Sequence, residues 1–91
     1  MPPTLVVSGP VTLAEAPRWR EALLMAVGEE SPRVDLSASG PWDLAGLQLL
    51  IAAVRSGRGV RFTRVPGVVV AIAGRAGVAE RLGEAIDDYV E

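Results

Sequence analysis

Short β-branched runs alternate along this chain with longer stretches whose apolar positions recur at helical spacing. Leu5-Val6-Val7 is a compact strand-like run closed by Ser8-Gly9-Pro10, a turn signal, and Val11-Thr12-Leu13 reads as a second short strand. Over residues 13–27, the spacing of Leu13, Ala16, Trp19, Leu23, Leu24 and Val27 predicts a helix. Pro17 falls in its first turn, where a missing N–H costs nothing, and Gly28 suits its C-terminal end. Arg33-Val34-Asp35-Leu36-Ser37 predicts another strand, followed by a loop over Ala38-Ser39-Gly40-Pro41-Trp42. Asp43 is a favoured N-cap, and the helix it opens is expected over residues 44–56, ending at Gly57. Residues 59–65 alternate polar and apolar, as a strand with one exposed face does. Pro66 opens a helix through about Arg75, and Gly77 breaks it. Residues 78–90 read as a last helix, with Val78, Leu82, Ala85, Ile86 and Tyr89 on one face.

Strands separated by helices imply crossover connections and a largely parallel sheet. The expected fold is therefore α/β, an about four-stranded, mixed but mostly parallel sheet with helices packed on it. At 91 residues the chain reads as one domain over 1–91, with room to cover the sheet on one face only. Hydrophobic residues make up 49% and charged residues 22%, a globular rather than disordered balance.

The most informative stretch is Leu44-Ala45-Gly46-Leu47-Gln48-Leu49-Leu50-Ile51-Ala52-Ala53-Val54, in which Gln48 is the sole polar side chain. A helix apolar all round is covered on both sides. The sheet covers one side; a neighbouring helix, a partner protein or a second copy in a homodimer must cover the other. Part of this helix, Leu47 included, is expected to lie open for a partner.

Val34-Asp35-Leu36-Ser37, followed six residues on by Asp43-Leu44-Ala45-Gly46-Leu47-Gln48-Leu49-Leu50, resembles the STAS domain, the anti-sigma-factor antagonist fold. That family pairs a strand of the type V-x-D-L-S with an Asp-Ser-Ser-Gly-Leu or Asp-x-Ala-Gly-Leu turn that enters a helix. Val6-Val7-Ser8-Gly9 and the first helix match its opening, and residues 59–65, 66–73 and Gly77-Val78 follow its later elements. The resemblance implies a regulatory module that binds a protein partner through Trp42, Asp43, Leu44, Ala45, Gly46, Leu47 and Gln48. Partners it implies are an anti-sigma factor or kinase-like ATPase, or a chemotaxis protein, in bacterial signal transduction. Related single-domain forms serve lipid-transport ABC complexes, so an accessory subunit binding the ATPase is the alternative. In phosphorylated members a serine of the turn carries the switch. Here the aligned positions are Leu44 and Ala45, so no phosphorylation is expected at Ala45. Ser37 and Ser39 are the nearby hydroxyls, either alternative phosphosites or residues that satisfy the loop. Asp43 is equally an ordinary cap, Gly46 a close-packing position, and Trp42 a core residue or, if exposed, a binding anchor.

Composition narrows the chemistry. There is no Cys and no His, which removes thiol nucleophiles, disulfides, imidazole bases and the usual transition-metal ligands. The carboxylates sit on helices and turns where solvation explains them, and Gly57-Arg58-Gly59 is a turn rather than a phosphate cradle. No enzyme activity, metal or cofactor is expected. Nine Arg residues offset by eleven acids leave a charge of −2, against a nucleic-acid binder. Met-Pro-Pro-Thr does not open a signal peptide, and the apolar run 68–73 is far short of the ~20 residues of a membrane span. A cytoplasmic protein is expected, with Asp87, Asp88 and Glu91 as a solvated acidic end.

Overall fold

A computed structural model describes residues 2–90; Glu91 lies outside them. The elements run β1 (Leu5–Val11), α1 (Ala16–Val27), β2 (Arg33–Trp42), α2 (Leu44–Arg55), β3 (Arg61–Thr63), α3 (Gly67–Ala76) and α4 (Ala79–Gly83). The fold is α/β, as the alternation of patterns requires. Three strands form one sheet in the order β1-β2-β3, and both pairings are parallel. One face of the sheet is buried through Val7, Val11, Val34, Leu36, Trp42 and Phe62. Trp19, Leu23 and Val27 of α1, Leu47, Leu50 and Ile51 of α2, Val69 and Ala73 of α3, and Leu82 of α4 complete the same core. The other face carries Val6, Ser8, Asp35, Ser37 and Thr63, none of them buried. The strands thus follow the period-2 rule of a sheet covered on one side.

The structure corrects the expected sheet in two places. The segment 38–42 is not a loop, because β2 continues to Trp42. Its pairing with β1 shifts register between Val6 and Ser8 and again between Gly9 and Val11, each time with one extra residue on β2. Bulges let Ser39, Gly40 and Pro41 stay in a strand that regular pairing would expel. β1 likewise absorbs the Ser8-Gly9-Pro10 turn signal, with Gly9 at φ 78, so no separate strand forms over 11–13 and the sheet has three strands rather than about four: Val11 ends β1, and Thr12 and Leu13 lie in the turn that follows.

The C-terminal segment is the second correction. Residues 78–90 do not form one helix; α4 stops at Gly83, and the chain then runs along the outer edge of β3. The Phe62 N–H donates to the Ala85 carbonyl and the Asp87 N–H to that of Phe62, both at 2.8 Å. The Val65 N–H donates to the Asp88 carbonyl at 3.1 Å, and the Val90 N–H to Val65 at 3.0 Å. These make isolated parallel bridges, Phe62 to Ile86 and Val65 to Tyr89, rather than a strand. Arg64 lies between them at φ 53, where its N–H turns out of the ladder and donates to the Asp88 carboxylate at 2.8 Å. Asp87 and Asp88 are thus exposed yet tied to the β3 edge, Asp87 also pairing with Arg61 at 2.8 Å; Glu91 lies outside the described residues. The cause is the edge of β3. Phe62 is fully buried, and its backbone polar groups need partners that a helix over 84–90 would not supply.

α1 begins three residues later than the periodicity suggests. Glu15 reaches back to accept the Thr12 N–H at 2.9 Å and its hydroxyl at 2.6 Å, folding 12–15 into a turn. Trp19 then ties α1 to β1, its indole N–H donating to the Pro10 carbonyl at 3.0 Å. Among the described residues no helix is long and apolar enough to cross a membrane.

Phe62→Ala is expected to cost about 3–5 kcal/mol in denaturant unfolding, because it opens a cavity under both the sheet and the C-terminal segment. Asp87→Asn, which removes a pair exposed on both sides, is expected to cost less than about 1 kcal/mol in the same titration.

Candidate functional site

The first turn of α2 is built around Asp43. Its backbone is extended, and one carboxylate oxygen accepts the Gly46 N–H at 3.0 Å, the usual way an N-cap satisfies a free donor. The other oxygen accepts the Leu13 N–H, also at 3.0 Å. One side chain therefore caps α2 and holds the β1–α1 turn against it. These bonds, Gly46 first and Leu13 second, keep the Asp43 carboxyl below its ordinary range. Two other carboxylates share that character. The Thr12 hydroxyl and N–H lower Glu15, and the Ser37 N–H lowers Asp35, with the Ser37 hydroxyl adding to it.

Gly46 explains why this turn needs glycine. A Cβ there would collide with the Val11 carbonyl oxygen and lie 2.9 Å from a Trp42 ring carbon. The requirement is space, not an unusual backbone angle. Trp42 is buried beneath the turn, and its indole N–H donates to the Ser39 hydroxyl at 2.9 Å. Ser39 in turn donates to the Leu36 carbonyl at 2.6 Å. Ser37 is half-buried on the open face of the sheet, away from the α2 turn.

Along α2 the neighbours divide the surface. α1 flanks it on one side and α3 and α4 on the other, while Leu47, Leu50, Ile51 and Ala53 face the core. Leu44, Gln48 and Ala52 remain exposed, one helical turn apart, with Ala45 and Leu49 half-buried beside them. Of the seven residues the sequence singled out, Leu44 and Gln48 can be reached directly and Ala45 and Asp43 in part. Leu47 is only 1% exposed, so the expectation that it lies open is wrong, and Trp42 and Gly46 are buried as well. Those three shape the turn from below.

The sequence reading missed Leu13. It is 73% exposed and sits at the rim of the α2 turn because Asp43 binds its N–H. Thirty positions separate the two, and no local pattern links them. The Thr12–Glu15 spacing, a capping-box signature, was a legible sign that a turn precedes the helix.

Residues 1–84 match the family model described as Mlab, STAS domain. No curated protein matches the chain significantly.

Three outcomes follow from the packing at this turn. Gly46→Ala is expected to destabilise by about 1–3 kcal/mol, as overpacking against rigid backbone does, read from the denaturant midpoint. Leu47→Arg is expected to cost at least about 4 kcal/mol or prevent folding, since it forces an unpaired charge into the core; a near-native melt would contradict the placement. Asp43, Asp35 and Glu15 are all depressed in the folded state, so the unfolded chain binds more protons in acid. Stability should be fully present above about pH 5, beyond the ordinary carboxylate range, and fall as pH drops through the lowered folded values. In Asp43→Asn the acid limb should be shallower; an unchanged slope would mean these backbone bonds do not hold the carboxylate.

Proposed function

The chain belongs to the STAS-domain family, and from that premise we propose that it works as a protein-docking module without a phospho-switch. STAS domains are regulatory protein-interaction modules. The observation that carries the finer reading is the α2 turn, held rigidly by Asp43 yet presenting Leu44 and Ala45 where a switchable member has hydroxyls. Leu44 is 52% exposed, an apolar side chain left in solvent at the rim of a fixed turn. The docking surface of this reading is Asp43, Leu44, Ala45 and Gln48, with Trp42, Gly46 and Leu47 supporting it from beneath. The partner is a signalling protein in the cytoplasm, an anti-sigma factor or kinase-like ATPase, or a chemosensory component. The module binds and does not catalyse.

Ser39 supports the same reading. Its hydroxyl is engaged on both sides, donating to Leu36 and accepting from Trp42, so a phosphate there would have to break the contacts that seat the indole. A second reading, an accessory subunit that braces the ATPase of a lipid-transport ABC complex, is favoured by the matched family's description, Mlab, STAS domain. A permanent structural contact has no use for a switch.

Affinity capture of the tagged protein from its host, beside Leu44→Arg, tests both. The substitution is at an exposed position and should leave the circular-dichroism spectrum and melt nearly unchanged. Recovery of a signalling ATPase, anti-sigma factor or chemotaxis protein, reduced at least tenfold in the variant, is the expected result. An ABC ATPase with the same dependence establishes the second reading. Equal recovery by both forms would remove Leu44 from the docking surface.

A further inference from the structure

The segment 84–90 is attached to the domain almost wholly by polar contacts. α4 before it is anchored through Leu82, which is sealed in the core. Beyond Gly83 only Ala85 is buried; Ile86 is half-buried, and Asp87, Asp88, Tyr89 and Val90 are exposed. The segment therefore gains little from apolar burial. Arg61 supplies much of the grip. Its guanidinium donates to the Glu84 carbonyl at 2.7 Å, the Asp87 carboxylate at 2.8 Å and the Ile86 carbonyl at 3.4 Å. Arg61 and Asp87 are 42% and 36% exposed, so water competes for their pairing. The backbone bonds to Phe62 and Val65 and the Asp88 carboxylate on the Arg64 N–H complete the attachment. Bonds of this kind are exchanged for bonds to water at small net cost. Closure also holds Arg64 at φ 53, a conformation that a residue with a Cβ rarely adopts.

We propose that residues 84–90 form a strap that opens as one unit about the end of α4 while the sheet and its helices stay folded. The strap alternately covers and bares the outer edge of β3. Every strand and helix ends before it begins, and the stretch matched by the family model stops at residue 84. Leu82 stays sealed when the strap lifts, so the hinge falls at Gly83 and Glu84, between the last anchored side chain of α4 and Ala85. Opening frees the N–H and C=O groups of Phe62 and Val65 that the strap had engaged. It also lets Arg64 leave the left-handed region, because the carboxylate that accepts its N–H there belongs to the strap. Local opening of this kind is drawn from segments with few buried apolar contacts and exposed hydrogen bonds, and 84–90 has both properties. Closed, the strap occupies the one row of β3 backbone groups that β2 does not pair, and so keeps that edge from other chains. Its bonds involve none of the residues proposed to dock a partner.

Native-state hydrogen exchange of the whole chain, read by NMR at low denaturant concentrations, tests it. Two amides serve as references. The Arg61 N–H faces away from the strap and donates to the Pro32 carbonyl at 2.9 Å, and the Leu47 N–H donates to the Asp43 carbonyl at 3.1 Å. The Phe62, Val65, Asp87 and Val90 amides should exchange through one common opening, at least tenfold more readily than the references. Their exchange should depend only weakly on denaturant, because lifting the strap exposes little surface. Asp87→Ala and Asp88→Ala, at exposed positions, should each speed these four amides several-fold and leave Arg61 and Leu47 unchanged. Arg64→Gly, which suits the φ of 53, should slow them. Strap amides that exchange no faster than the references overturn the proposal. So do rates that fall one by one from Val90 inward instead of together, or strap rates that neither Asp variant alters, or an Arg64→Gly strap that opens more readily.

Discussion

The first turn of α2 approaches the end of β1 so closely that only a residue without a side chain fits between the Val11 carbonyl and the Trp42 ring. Much of the molecule depends on that contact. It sets the height of α2 over the sheet, so that Leu47, Leu50 and Ile51 descend onto Leu36 and its neighbours in the shared core. It also puts Asp43 where one carboxylate can satisfy both the helix and the Leu13 turn. With α2 placed, α1 packs on one flank and α3 and α4 on the other. A bulkier residue at 46 would lift the helix and loosen all three neighbours, which is why its cost is paid in backbone movement rather than in one lost contact.

The same constraint shapes the surface that a partner can meet. Because α2 is pressed down and flanked, its apolar residues divide unequally. Most are consumed by the core, and a narrow line of Leu44, Gln48 and Ala52 is left outside. The turn at the head of this line is stiff, being tied by a carboxylate that holds its proton only in acid. A stiff apolar turn binds with little ordering to offset, which suits a docking element. Neither Leu44 nor Ala45 carries a hydroxyl.

Much of this was readable along the chain. The alternation of β-branched and helical patterns established an α/β fold with parallel pairing, and the Asp43 cap and the start of α2 fell where the local chemistry put them. The Asp-x-Ala-Gly-Leu turn carried the family. Where the reading failed, a distant edge had outweighed a local preference. Ala85, Ile86 and Tyr89 share a helical face with Val78 and Leu82, yet they leave the helix to serve the bare edge of β3. Ser39-Gly40-Pro41 spells a loop, yet β1 keeps it in the sheet through two register shifts.

Periodicity and turn chemistry are properties of neighbours in sequence, and they determined the alternation of strands and helices through α3 and the capped turn. Which side of α2 stays wet is a property of neighbours in space. Leu44 and Leu47 are both leucines three positions apart in one apolar run, and nothing in that run says that one is half in solvent and the other sealed. The packing of α1, α3 and α4 around α2 makes that choice. The Asp43–Leu13 bond is of the same kind, for a carboxylate can cap its own helix by local geometry alone, but it reaches a turn thirty residues back only once the sheet has brought the two together.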